Sequence, residues 1–292
     1  MYLETFGLKM YPFANTADPR FFFANEAHEE ALANMTYAIE QGKGMVVITG
    51  QVGTGKTLLA NVLSLRLRRS TVMVTVPDPL VRGEQLMRSV HEALVGSTPR
   101  RLDRVHVRQV LVDRLIALQR MGQRVAVLVD EAQDLCKGAL EQIRLMSNWE
   151  NHAEKLIQWV LIGQPELRQT LGKPQWEHFR QRIALSYDLR RLAAEHVGAY
   201  LAHRLTVAAG GLEPRVSFEP GAAACIAGAS DGAPRVINNI ADAALLAAYA
   251  DGATAVTEEL ARAVARDMTS CGWANQPEDT DKSYRISAMA AG

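Results

Sequence analysis

Gly50-Gln51-Val52-Gly53-Thr54-Gly55-Lys56-Thr57 fits the pattern G-x-x-x-x-G-K-[ST] without a mismatch, and its flanks decide how it is read. The apolar run Met45 to Ile48 leads into it as a buried parallel strand would, and LLANVLSLRLRR follows it with a helical pattern. Strand, glycine loop and helix together are the context that a phosphate-binding loop requires. Glycines let backbone N–H groups turn inward around a polyphosphate, where a Cβ would obstruct them. Lys56 brings a point charge for the β- and γ-phosphate oxygens. Thr57 offers a hydroxyl to Mg²⁺, and the helix N-terminus faces the anion. The whole stretch from Gly50 to Thr57 is therefore the expected binding loop for a nucleoside triphosphate with Mg²⁺.

A second apolar run, Val125 to Val129, ends in Asp130-Glu131. Open parallel sheets hold ligands at the carboxyl ends of their strands. Asp130 is thus expected to share the Mg²⁺ site with Thr57, and Glu131 to act as general base toward an attacking water. The run Leu156 to Ile162 is read as another strand, closed by Gly163-Gln164-Pro165-Glu166. A polar side chain at that end would lie between the phosphate loop and the acidic pair, which makes Gln164 the candidate water-positioning residue.

Composition bounds the rest. The chain has 292 residues, 48% hydrophobic and 22% charged, with zero formal net charge. That is an ordinary globular composition with no bulk attraction to nucleic acid or membrane. Only seven of the 32 basic residues are lysine. Cys136, Cys225 and Cys271 are widely spaced and odd in number, which argues against a disulfide framework or a metal site. No run approaches the roughly 18 apolar residues of a membrane span, and the first residues lack a signal layout. The expected location is the cytoplasm.

Residues 1–24 hold seven aromatic residues along with Pro12 and Pro19, and read as an extended arm. The arm either packs on the domain that follows or covers a purine base. Residues 26–41 read as a helix, 71–76 as a strand, 83–95 and 139–150 as helices, 175–183 as a short helix, and 183–189 as a fifth strand. The nucleotide-binding core is placed at 25–190. Arg101, Arg104 and Arg108 share one helical face. They read either as a solvated face or as phosphate contacts to double-stranded DNA. After Arg190 the strand–helix alternation stops. Segments 193–209, 219–229, 234–250 and 257–268 make a small all-helical lid over 191–268, and 269–292 reads as a loose tail. Ser230-Asp231-Gly232-Ala233-Pro234-Arg235 opens the third lid helix with a flexible glycine and a first-turn proline. Arg235 is expected to swing onto the nucleotide phosphates.

The phosphate loop, the Asp-Glu strand end, arginines before the fifth strand and G-x-P-R on a helical lid resemble the AAA+ ATPases. YLETFGLKMYPFANTADPRFFF, DEAQDL, LEQIRLMSNWE, IGQPEL and FRQRI resemble more narrowly the ExeA/GspA-type secretion ATPases and their transposition relatives, over about residues 1–268. That resemblance implies an α/β fold: a parallel five-stranded sheet with helices on both faces, then the lid. It implies Gln164 as sensor 1, Arg235 as sensor 2 and, between Arg180 and Arg182, the latter as the finger that reaches a neighbouring subunit's γ-phosphate. It also implies self-assembly into a hexameric ring or helical filament, and a protein partner. Secretion members typically continue into a membrane helix and a peptidoglycan-binding module, neither of which follows residue 268. A free-standing core resembles the AAA+ regulators of Tn7-like and Mu-like transposition, which coat DNA and recruit a transposase. The readings carried forward are an ATPase that remodels or recruits partners in secretion, pilus or exopolysaccharide assembly, a DNA-dependent transposition regulator, and a nucleotide-gated binding module.

Overall fold

The structure, a computed structural model, describes residues 2–76, 80, 82–96, 104–151 and 154–270. It divides into two units whose boundaries do not follow chain order. Ala17–Arg190 form one, while the first sixteen residues group with the chain from Arg191 onward in the other. The second unit therefore contains α1 (Tyr2–Thr5) at one end of the sequence and four long helices at the other.

In the first unit the chain runs α2 (Glu26–Glu40), β1 (Met45–Gly50), α3 (Lys56–Leu67), β2 (Thr71–Val76), α4 (Gly83–Val95), α5 (Arg104–Arg120) and β3 (Arg124–Val129). It continues through α6 (Lys137–Met146), β4 (Gln158–Gly163), α7 (Pro165–Gly172), α8 (Glu177–Arg180) and β5 (Leu185–Leu189). The strands form one parallel sheet in the order β2-β3-β4-β1-β5. Their apolar runs are continuous because both faces are covered. Met45, Val47, Val125, Val127, Trp159 and Leu161 point into a cluster with Leu86, Leu111 and Ile143 of α4, α5 and α6. The alternate residues Val46, Ile48, Ala126, Leu128, Val160 and Ile162 meet Leu32, Met35, Leu59 and Leu63 of α2 and α3 on the other face. This is the five-stranded parallel sheet expected from the sequence.

Some local expectations differ. The fourth and fifth strands begin two residues later than read, at Gln158 and Leu185. Two further helices occupy 104–120 and 165–172; the latter opens with Pro165 at its first turn, where a missing N–H costs nothing. Residues 174–176 form a 3-10 turn before α8, so the expected helix at 175–183 is shorter.

The second unit packs α9 (Ala194–Ala208), α10 (Pro220–Ser230), α11 (Pro234–Ala250) and α12 (Glu258–Ser270). It is not wholly helical. β6 (Ser217–Phe218) and β7 (Ala255–Val256) form a short parallel pair that fixes the approaches to α10 and α12. Nor is the arm extended throughout, since α1 occupies its start. Of its aromatics, Tyr2, Phe6 and Phe13 are core residues of this unit, Tyr11 is exposed, and Phe21, Phe22 and Phe23 fall in the first unit. Phe6 meets Tyr249 edge-on, Phe13 meets Phe218 in the same way, and the Tyr2 hydroxyl donates to Asp242 at 2.6 Å. Buried Arg204 of α9 donates to the arm carbonyls of Pro12 (2.5 Å) and Ala14 (3.0 Å), to the Tyr200 hydroxyl and to Asn238. The guanidinium thus meets its desolvation cost with neutral acceptors spread over arm and helix.

Among the described residues no helix is long and apolar enough to cross a membrane. Cys136 and Cys225 form no disulfide, and Cys271 lies outside the described residues.

Candidate active site

β4 lies between β1 and β3, so three loops leave the same end of the sheet side by side. The register pairs Thr49 with Gly163 and Val129 with Leu161. Lys56, Asp130, Glu131 and Gln164 are thereby set at adjacent strand ends.

The loop after β1 turns through Gly53 (φ 80°) and Gly55 (φ 91°), left-handed conformations that side-chain-bearing residues rarely adopt. The Lys56 ammonium is buried and donates to the carbonyl oxygens of Gly50 (2.8 Å) and Gln51 (2.9 Å). Thr54 is also buried and its hydroxyl donates to the Gln51 carbonyl. Gln51 and Val52 stand exposed at the loop's crest. The Thr57 hydroxyl donates to the Asp130 carboxylate at 2.6 Å, so α3 and the end of β3 are joined by two oxygen ligands. One hydroxyl and one carboxylate suit a hard divalent cation that keeps water and phosphate oxygens in its remaining positions, as Mg²⁺ does. Among the described residues no three His, Cys, Asp or Glu side chains form a metal cluster.

Glu131 follows Asp130 in a left-handed conformation (φ 49°, ψ 39°), uncommon for a residue with a side chain. Its N–H donates to Asp130 Oδ1 at 2.9 Å. Its carboxylate accepts from Gln133 Nε2 at 2.9 Å and from Gln164 Nε2 at 3.4 Å. The expected base and the expected water-positioning residue are therefore in contact. Gln133 was not singled out by sequence reasoning; its one signal was its position two residues after Glu131.

Behind the loop lies His28 of α2, buried, also not anticipated from the sequence. Asn25 Oδ1 accepts the His28 backbone N–H at 2.8 Å and sits 2.5 Å from the ring Nδ1. An oxygen that accepts the first bond must accept the second, so Nδ1 carries a proton. Nε2 faces the Thr54 carbonyl at 3.3 Å. Burial lowers the His28 pKa, and the bond to Thr54 opposes that shift. The unfolded chain takes up this proton near pH 6.5 and the folded chain only lower, so protons favour unfolding. His28 is thus expected to cost stability as pH falls below about 6.5, levelling off beneath its folded pKa. Melting temperatures of His28→Gln should fall less steeply than wild type between about pH 7 and 5. Parallel slopes would show that His28 is not the titrating group.

The remaining candidates lie elsewhere. Ala184 donates to the Met45 carbonyl at 2.8 Å, and Leu185 pairs with Val46 while Leu189 pairs with Gly50. Arg182 thus lies in the turn before β5, while the extended run from Ala184 beside Met45 to Leu189 beside Gly50 covers roughly 17 Å at about 3.3 Å per residue. Its guanidinium donates to Asn148 Oδ1 (3.0 and 2.9 Å) and to the His178 carbonyl. Arg180 instead donates to the carbonyls of Leu171 and Lys173 at the end of α7. Arg235 is exposed in the first turn of α11. A cation there opposes the helix dipole, a placement that an anion would relieve. The glycine before it also has a steric reason. Gly232 has φ 67°, and a Cβ there would lie 2.0 Å from the Leu192 carbonyl oxygen. The turn is further held by Leu192 N–H donating to the Gly232 carbonyl and by an Arg191–Asp231 ion pair.

Of the basic stripe, Arg104 begins α5, Arg108 lies 5.9 Å from the Trp149 ring centre, and Arg101 lies outside the described residues.

Comparison with known proteins gives concordant matches. The family model described as an AAA domain matches residues 39–171. General secretion pathway protein A of Aeromonas hydrophila is 39% identical over 242 residues, covering 83% of this chain and 44% of that protein. The chain thus spans less than half the length of that curated relative. Among solved structures, Cdc6p from Pyrobaculum aerophilum superposes with a TM-score of 0.67 at 16% identity, over 88% of this chain and 70% of that one. The Thermotoga maritima RuvB Holliday junction branch migration motor superposes with a TM-score of 0.54 at 16% identity, over 85% and 70%. At such identities these two likenesses concern the fold alone.

Proposed function

The chain belongs to the ExeA/GspA-like family of AAA+ proteins, and from that premise we propose that it binds and hydrolyses ATP at subunit interfaces of a ring or filament. The assembly remodels or recruits a protein partner in secretion-type assembly. The observation that carries this reading is the convergence on one sheet end of Lys56, the joined pair Thr57 and Asp130, and the contacting pair Glu131 and Gln164.

In this reading the Lys56 ammonium exchanges its loop carbonyls for β- and γ-phosphate oxygens, and the inward N–H groups of residues 50–57 take the rest of the polyphosphate. Thr57 and Asp130 would hold Mg²⁺, which when bound neutralises charge on the phosphate oxygens. Gln164 orients a water against the γ-phosphorus. Glu131 takes that water's proton as its oxygen attacks, and ADP leaves with the bond's electrons. Arg182, in the turn before β5, acts on the phosphate held by a neighbouring subunit. Arg235, as the sensor-2 candidate of α11, would report the γ-phosphate bound by its own chain.

Phosphate release and negative-stain imaging of the full chain with Mg-ATP or a slowly hydrolysed analogue test the reading. Rings or filaments that form with nucleotide, and turnover that vanishes in Lys56→Ala, are the expected result. A chain that remains monomeric and releases no phosphate would overturn it. Assembly only on added double-stranded DNA would move the pathway from secretion to the transposition-type role.

A further inference from the structure

Gln133 lies in the single 3-10 turn Ala132–Asp134 that leaves the acidic pair. Its amide nitrogen donates to Glu131 Oε2 at 2.9 Å and to Asp134 Oδ2 at 3.1 Å. Its amide oxygen accepts the backbone N–H of Gln164, 31 residues away on the next loop, at 2.9 Å. The amide orientation is fixed by these partners. Turned over, it would set NH₂ against an N–H and oxygen against two carboxylates. The seat is shaped for it. A Cβ on Gly163 would lie 3.0 Å from Gln133 Oε1 and 3.2 Å from its backbone nitrogen, so the amide reaches the end of β4 because that residue has no side chain. The Gln164 amide then reaches Glu131 Oε2 from the other side at 3.4 Å.

We propose that Gln133 is a positioning residue that ties the Glu131 carboxylate to the end of β4, so that base and water-orienting residue are held as one unit. This rests on the reading of Glu131 as general base. A glutamate carboxylate turns about three bonds, and its base function requires one oxygen to be held facing the water. Gln133 occupies Oε2 and so fixes the plane in which Oε1 remains. Because the same amide grips the Gln164 backbone, a movement at the end of β4 is carried to the carboxylate.

Two substitutions separate the halves of the tie. Gln133→Leu removes both donor and acceptor. Gln133→Glu keeps an oxygen for the Gln164 N–H but replaces the donor toward Glu131 with a like charge. Both are expected to lower kcat for ATP by about tenfold to a hundredfold with KM and melting temperature nearly unchanged. Amide hydrogen exchange at Gln164, read by NMR on the full chain without nucleotide, should quicken in Gln133→Leu and stay protected in Gln133→Glu. Wild-type kcat in Gln133→Glu would reduce Gln133 to support of the backbone and overturn the proposal. So would unaltered Gln164 exchange in Gln133→Leu. Equal turnover by wild type and Glu131→Gln is a separate failure, of the general-base reading itself, and the exchange measurements would still decide whether the tie exists.

Discussion

Replacing Glu131 with glutamine is expected to lower ATP turnover by about 10²–10⁴-fold while ATP affinity changes little, the range that a lost general base produces. The substitution is informative because of how the carboxylate is held. Glu131 accepts from the side-chain amides of Gln133 and Gln164 through one oxygen. A glutamine amide oxygen can accept the same two bonds, so position survives and basicity does not. Its backbone sits in a left-handed conformation that either residue must adopt, which keeps strain matched between the two proteins. The bonds of Lys56 to the Gly50 and Gln51 carbonyls and of Thr57 to Asp130 do not pass through this carboxylate, so those contacts of the binding loop are kept. Phosphate release at the wild-type rate would remove Glu131 from the chemistry. Lost ATP binding would mean that it supports the loop instead.

Arg182→Ala should be comparably severe, with turnover reduced by about 10³-fold or more, the scale on which arginine fingers act in other nucleotide hydrolases. Arg182 donates to Asn148 and the His178 carbonyl, which hold the side chain in place, and the Glu141 carboxylate feels its charge. The residue precedes the start of β5, whose far end, Leu189, is the part that pairs with Gly50. The decisive form of the experiment is a mixture. Arg182→Ala subunits retain an intact phosphate loop, and Lys56→Ala subunits retain an intact arginine. Each is inactive alone, but at mixed interfaces the first binds ATP while the second completes its site. Partial recovery of phosphate release is expected on mixing. Two inactive proteins that stay inactive at every ratio would sink action in trans. Arg180→Ala supplies the contrast, because that guanidinium is committed to the carbonyls of Leu171 and Lys173. It should lower stability more than turnover.

How much of this was legible beforehand depended on whether a signal was local. The central strands were readable because β1, β3 and β4 are apolar on both faces, and the phosphate loop because its glycines serve the loop's own backbone. β5 alternates between half-buried and exposed residues until Leu189, so its start blurred into the preceding turn. The pair Ser217–Phe218 with Ala255–Val256 is two residues long on each side, too short for any periodicity. Gln133 and His28 could not be singled out, since each gains its meaning from a partner on another element. The same holds for Arg204, whose acceptors at Pro12 and Ala14 lie about 190 residues away in sequence. Gly232 was noticed for its type, but the neighbouring Leu192 carbonyl, which leaves no room for a Cβ, could not be read from the sequence.

The grouping of the first sixteen residues with the chain beyond Arg190 has a consequence for biosynthesis. A ribosome delivers Tyr2, Phe6 and Phe13 more than 200 residues ahead of Asp242, Tyr249 and Phe218, which they meet. At about 5–20 residues per second, the leading segment waits on the order of ten seconds or more for the first helix of its own unit. The nucleotide-binding unit, contiguous from Ala17 to Arg190, has its whole sequence available before that. Tyr2, Phe6 and Phe13 therefore stay without these partners while the nucleotide-binding unit is made, and through that interval they are apolar surface that a chaperone can meet.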